Sequence, residues 1–315
     1  MRRLLVGSAL LAAVTAAPAN AQCAGGVTAD ACAKAVDLYG YMMPQLGTAL
    51  VGGSHTLGIG TTLGGFPHFA VALRANAVRG DLPDLTGLTV SPLGAQSSNL
   101  ATTSQFIGLP GADFAVGVFK GIPLGVTRVG GVDVIGSVTY VPEINGDGVS
   151  IAPTDGAMKF GFGARVGLLE QSLIVPGVSF SYLKRDLPSL DLSASAANAD
   201  FAINDFTLES TSWRLAAQKN LLLFQLGAGI GQDTYTSSAA ISGTVTGAGG
   251  FTAAPSMELT RSTMYGTLGF NLLIAKVVAE VGQVSGGDFN AFFNTFDEAA
   301  DKSRLYGSVG IRISF

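Results

Sequence analysis

The sequence predicts an all-β fold, an antiparallel up-and-down transmembrane β-barrel of about twelve strands, with ten and fourteen as the neighbouring solutions. Three observations predict it. Apolar and polar residues alternate with period two through a series of short runs, the pattern of strands whose two faces meet different solvents. The connections between the runs are short and long by turns. The chain is 48% hydrophobic and 13% charged and rich in glycine (43 residues), yet after its first 21 residues it has no apolar stretch long enough for a spanning helix, so its apolar side chains need lipid-facing strands.

The last run shows the pattern most clearly. Phe315, Ile313, Ile311 and Val309 point one way, and Ser314, Arg312, Gly310 and Ser308 the other. A chain closing on such a strand resembles the bacterial outer-membrane β-barrels, whose final strand ends in a phenylalanine that the insertion machinery recognises. The resemblance implies an integral outer-membrane location and makes Val309, Ile311, Ile313 and Phe315 the membrane-insertion signal. Its implied partners are the barrel-insertion machinery and outer-membrane lipid.

Reading back from that strand, the alternation recurs over residues 275–282, 264–271, 224–231, 213–218, 178–182, 159–166, 132–140, 112–120 and 68–78. These make ten strands, and weaker runs at 53–62 and 86–92 bring the expectation to twelve. With the last strand ending at the periplasm, the connections near 121–129, 168–175, 219–220 and 273–274 are periplasmic. Those near 142–155, 185–203, 236–256 and 286–302 are external and long.

At the other end, Met1-Arg2-Arg3, the apolar run Leu4 to Ala16 and Ala19-Asn20-Ala21 have the form of a secretory signal over residues 1–21, cleaved near Ala21. Its removal takes Arg2 and Arg3, so 18 basic residues become 16 against 22 acidic ones, a net charge of −6 that offers nothing to nucleic acid. Cys23 and Cys32, the only cysteines, suit a local disulfide in an oxidising compartment. Residues 22–52 form a separate N-terminal segment ahead of a barrel over 53–315. In it Ala31, Ala35, Leu38 and Met42 fall at helical spacing with Pro44 interrupting, which predicts a short helix, either plugging the lumen or resting in the periplasm. With the region from His55 to Arg74, this layout resembles the long-chain fatty-acid and hydrocarbon channel family, which implies an N-terminal hatch filling the lumen.

Catalysis has little to work with. His55 and His68 are the only histidines, and Ser54 and His55, as neighbours on a strand, would face opposite ways. The expectation is a non-enzyme with no cofactor and no metal. The residues closest to function are the lumen-facing charges Arg165, Arg214, Lys276, Glu280 and Arg312. They either line a path that favours anions or pair with plug carboxylates such as Asp30 and Asp37. The sequence therefore points to a passive channel or transporter for small solutes. A structural or adhesive surface barrel acting through its external loops is the alternative, and an outer-membrane lipid hydrolase comes third.

Overall fold

A computed structural model describes residues 23, 25–85, 88–146, 149–287, 289 and 292–315. The expected signal peptide and its cleavage site lie outside the described residues. Helix α1 (Ala29–Val51) is followed by β1 (Phe69–Pro83), β2 (Thr102–Phe119), β3 (Gly131–Tyr140), β4 (Met158–Leu169) and β5 (Gly177–Asp186). Then come β6 (Ala199–Asn220), β7 (Phe224–Val245), β8 (Ser256–Asn271), β9 (Lys276–Ser285) and β10 (Arg304–Ser314). Each strand pairs antiparallel with the next, and β1 pairs with β10 from Ala70↔Ser314 to Val78↔Tyr306, which closes the ring. Closure leaves no open strand edge in the lipid, the condition for a sheet to span it.

Among the described residues the ring has ten strands, not twelve. The run at 53–62 is no strand but an irregular path inside the lumen. Gly53 and Gly58 take positive φ (+90° and +64°), which breaks any strand, and wall side chains serve its backbone polar groups instead. In the second weak run, residues 88–92 are irregular, with Leu88 and Val90 buried over α1; residues 86 and 87 lie outside the described ones. Several stretches expected to be loop are strand: 199–203 and 236–245 extend the ring strands β6 and β7, and 144–146, 149–153, 190–195 and 249–253 add short strands to the same sheet.

Those stretches show why the barrel is taller than its membrane part. Along β7 the outward face reads Phe224, Leu226, Ala228, Ile230 and then Gln232, Thr234, Thr236, Ser238. The inward face does the opposite, with Gln225, Gly229, Gly231 and Asp233 giving way to Tyr235, Ala239, Ile241 and Val245. β8 inverts at the same level: Phe270, Leu268 and Met264 are followed outside by Ser262, Thr260 and Glu258, while inside Thr267 and Thr263 lead to Leu259. The lower part is thus apolar outside and polar inside, as lipid requires, and the upper part is built like a water-soluble domain. Strands β6 and β7 have 22 residues each. At about 3.3 Å per residue each runs roughly 70 Å along its length, well beyond an apolar band of roughly 25 Å. Short connections at 221–223 and 272–275 mark the periplasmic end, and long ones such as 84–101 and 286–303 the external end.

Helix α1 occupies the upper lumen and is buried on every side, so it carries no water-facing stripe. Ala31, Ala35, Tyr39, Met43 and Leu50 join Leu190, Phe206, Leu208, Tyr235 and Ile241 of the upper wall in one core. Burying each of the larger side chains contributes about 1.5–3 kcal/mol. Gly47 lets the helix approach the wall, because a Cβ there would lie 2.8 Å from the Tyr235 ring.

Candidate functional site

The lumen holds the charges the strand pattern aims inward, and the segment 52–65, which descends through it, is their counterpart. An irregular backbone at membrane depth needs a partner for every N–H and C=O. Here arginines of the wall supply the donors. Arg74 donates to the carbonyls of Gly52 and Ser54, both at 2.8 Å, and Arg214 to those of Gly53 and Val51 at 2.9 and 3.1 Å. Further contacts run from Arg185 to His55 O (3.2 Å), from Arg312 to Leu57 O (2.7 Å) and from Arg165 to Thr61 O (3.3 Å).

Wall carboxylates and amides accept from the same segment. Glu280 takes the N–H of Ser54 at 2.9 Å, Asp113 that of Leu57 at 3.0 Å, Gln218 that of Gly60 at 2.7 Å and Asp133 that of Leu63 at 3.1 Å. The acids also neutralise the arginines across the wall. Asp113 lies between Arg74 (3.0 Å) and Arg185 (3.1 Å), Asp133 pairs with Arg165 at 3.2 Å and Asp233 with Arg214 at 2.7 Å. Each of these partners is at most 5% exposed, so the pairs are of the buried kind, in which losing one member is far more harmful than losing both.

Of the residues singled out in the sequence, Arg165, Arg214, Glu280 and Arg312 meet the segment directly. Lys276, lower and partly exposed, donates to Gln225 at 2.6 Å, and Gln225 bonds both Arg312 and Gly58 O. Asp30 and Asp37 do not pair with these cations. Asp30 binds Lys34 (2.7 Å) and the N–H groups of Ser91 and Gln96, and Asp37 the N–H of Asn294 at 2.7 Å, so both carboxylates tie α1 to external loops well above the arginines. Cys23 and Cys32 form a disulfide at the external mouth. Val309, Ile311, Ile313 and Phe315 face outward on the lipid side. The sequence reading missed Arg74, Asp113, Arg185 and Asp233. Arg74 and Asp113 stand opposite one another's neighbours on β1 and β2, and a search for acids on the same face as each inward arginine would have found the pairs.

Gly53 is the tightest point. A Cβ there would fall 1.5 Å from Glu280 Oε1, and its φ is +90°. Gly53→Ala is expected to lower stability by more than the roughly 1–3 kcal/mol of a positive-φ strain alone. Gly247→Ala, at φ +76° with nothing within 4 Å, is expected to show the strain alone. Urea unfolding of both variants in detergent, read by the heat-dependent gel shift of folded barrels, checks the difference.

His55 Nε2 lies 2.8 Å from Ser212 Oγ, with His55 and Ser212 each 1% exposed. His68 Nδ1–H donates to Gly65 O at 2.8 Å near the periplasmic end. Among the described residues no group of three His, Cys, Asp or Glu side chains converges as a metal site. One cavity between Leu50 at the foot of α1 and the wall at Arg74, Asp113 and Arg185 measures about 10 Å³, and a second between the segment at Gly58 and the wall at Tyr265 the same. Each holds on the order of one water.

The closed ring, its lipid-facing band and its polar lumen define an integral bacterial outer-membrane β-barrel. No protein-family model and no curated protein matches the chain in sequence. Solved structures it is similar to include Ail, the attachment invasion locus protein of Yersinia pestis, at 10% identity over 79% of this chain and 98% of that one, with a TM-score of 0.31. The translocator domain of the autotransporter NalP from Neisseria meningitidis matches at 12% identity over 91% of this chain and 98% of that one, TM-score 0.37. An anion-selective porin from Comamonas acidovorans matches at 9% over 79% and 98%, TM-score 0.18.

Proposed function

We propose that this protein is a closed surface barrel that acts through its external half, and not a path for solutes. The observation that carries the reading is the occupied lumen: α1 fills the upper part, and segment 52–65 is bonded to the wall through the lower part, with cavities of about 10 Å³ between them. A passive channel needs a continuous water column. The inward arginines that would favour anions in an open pore spend their donors on plug carbonyls and wall carboxylates. The external half has what a surface module needs: a core of its own, polar outer walls and long loops drawn together by the pairing of Asn99–Leu100 with Thr295–Phe296. A hydrolase is disfavoured because the His55–Ser212 pair is sealed between plug and wall.

Reconstitution into planar bilayers tests this. Folded wild-type protein is expected to give no discrete conductance steps, and liposomes containing it to exclude small sugars. Reproducible steps from protein with intact segment 52–65 would reinstate the channel.

A further inference from the structure

Three of the lower connections of the ring end in aliphatic tips. Residues 172–175 read Ser-Leu-Ile-Val, 221–223 Leu-Leu-Leu and 272–275 Leu-Leu-Ile-Ala, with no charge among them. Leu173, Leu222 and Leu273 are 94%, 97% and 101% exposed, so the protein itself covers none of them. In water such a rim would be an association site, since soluble surfaces rarely gather apolar side chains in one patch. The wall above the tips is short of the height that lipid needs. On β5 the apolar outer face runs only from Val178 to Tyr182 before the Lys184–Glu209 ion pair, and on β7 from Phe224 to Ile230 before Gln232. At about 3.3 Å per residue and a tilt of about 40°, those faces are roughly 10 Å and roughly 15 Å high, against an apolar band of roughly 25 Å.

The turn backbones carry a second, independent sign. Turns normally leave carbonyls to water, which hydrocarbon cannot replace. Here side chains take them. Lys219, outward at the foot of β6, donates its ammonium to the carbonyls of Ser172 and Leu173 at 2.8 and 2.7 Å. Asn271 Nδ2 donates to those of Leu221 and Leu222 at 3.4 and 3.1 Å, and the Asn271 N–H to that of Leu223 at 2.8 Å. The Asn220 N–H goes to Gln171 Oε1 at 2.9 Å and the Leu272 N–H to Ala275 O at 2.8 Å.

We propose that these three turns are immersed in the acyl chains of the periplasmic leaflet, so that over β4 to β9 the barrel ends within the bilayer and not in periplasmic water. The leucine tips continue the lipid-facing band downward from Phe224 and Phe270 and supply the height it lacks. The short band selects lipid over a protein partner: a docked protein would cover the leucines and leave the mismatch with the bilayer as it is. Immersion of the rim does not depend on whether the lumen conducts.

The test places a nitroxide at Leu222→Cys and Leu273→Cys of the full chain, one at a time, in liposomes of phosphatidylethanolamine and phosphatidylglycerol. The native cysteines are tied in the disulfide, so the label goes to the new thiol alone. Leu226→Cys, on the band, and Thr236→Cys, above it, are the references. Oxygen concentrates in hydrocarbon and a nickel chelate in water, so relaxation of the labels at 222 and 273 is expected to favour oxygen as strongly as at 226, by roughly threefold or more relative to 236. Chelate access equal to that at 236 would place the turns in water, and exclusion of both agents would place a second copy or another protein on the rim; either result overturns the proposal. Should a label prevent folding, Leu222→Trp in a Trp213→Phe background, which removes the only native tryptophan, is read by quenching from lipids brominated on their chains. Strong quenching by those lipids supports immersion, and quenching by aqueous acrylamide alone refutes it.

Discussion

A variant lacking residues 29–66 is expected to open a water-filled pore where the intact protein is silent. Without α1 and the segment below it, the ten-stranded ring keeps its strand pairing, since every ladder is made between strands. The vacated lumen is lined by Arg74, Arg165, Arg185, Arg214 and Arg312 against Asp113, Asp133, Asp233 and Glu280, side chains that water readily solvates. Discrete single-channel steps, with a preference for anions set by the surplus of these arginines over the acids and by Lys276 below them, are the expected readout. Folded but silent truncated protein would show that the wall itself collapses on its charges. The change is all or none, because the plug obstructs the whole depth and not one constriction.

The second large effect is predicted at Asp113. Its carboxylate bonds Arg74, Arg185 and the Leu57 N–H at once, and all of these are buried. Asp113→Ala strands two guanidinium groups, so a loss of about 3–5 kcal/mol is expected, the range for breaking a buried pair by removing one partner. Glu209→Ala is the matched control: its partner Lys184 is at 2.7 Å, but both side chains are more than half exposed, and the loss should stay within about 1 kcal/mol. Urea midpoints in one detergent compare the two. Equal losses would mean that the lumen is hydrated and that Asp113 is an ordinary pair.

Much of this was legible in the sequence because lipid imposes a strict period-two code. The strands built on Phe315, Phe270 and Phe224 could be read from alternation alone, and with them the inward positions of Arg165, Arg214, Glu280 and Arg312. The code fails where its premise ends. Above Gln232 the solvent outside is water, so Thr234, Thr236 and Ser238 look like loop to a reading tuned to lipid, although they continue β7. It fails also inside the lumen, where Leu57 and Ile59 alternate with Gly58 and Gly60 as a strand would. There the glycines, and carbonyls served by arginines far away in the chain, make a non-repetitive path instead. The partners Asp113 and Asp233 were hidden for a related reason: they lie 39 and 19 residues from Arg74 and Arg214, at distances only the strand register brings together.

The seam between β1 and β10 has a consequence for assembly. A ring that encloses its own leading chain cannot be finished first and threaded later without drawing a disulfide-closed loop and a 23-residue helix through it. Zipping Ala70 through Val78 onto Tyr306 through Ser314 is therefore the step that makes the enclosure permanent. Until then the molecule is an open sheet that can still release its string; afterwards it is a bead locked on it.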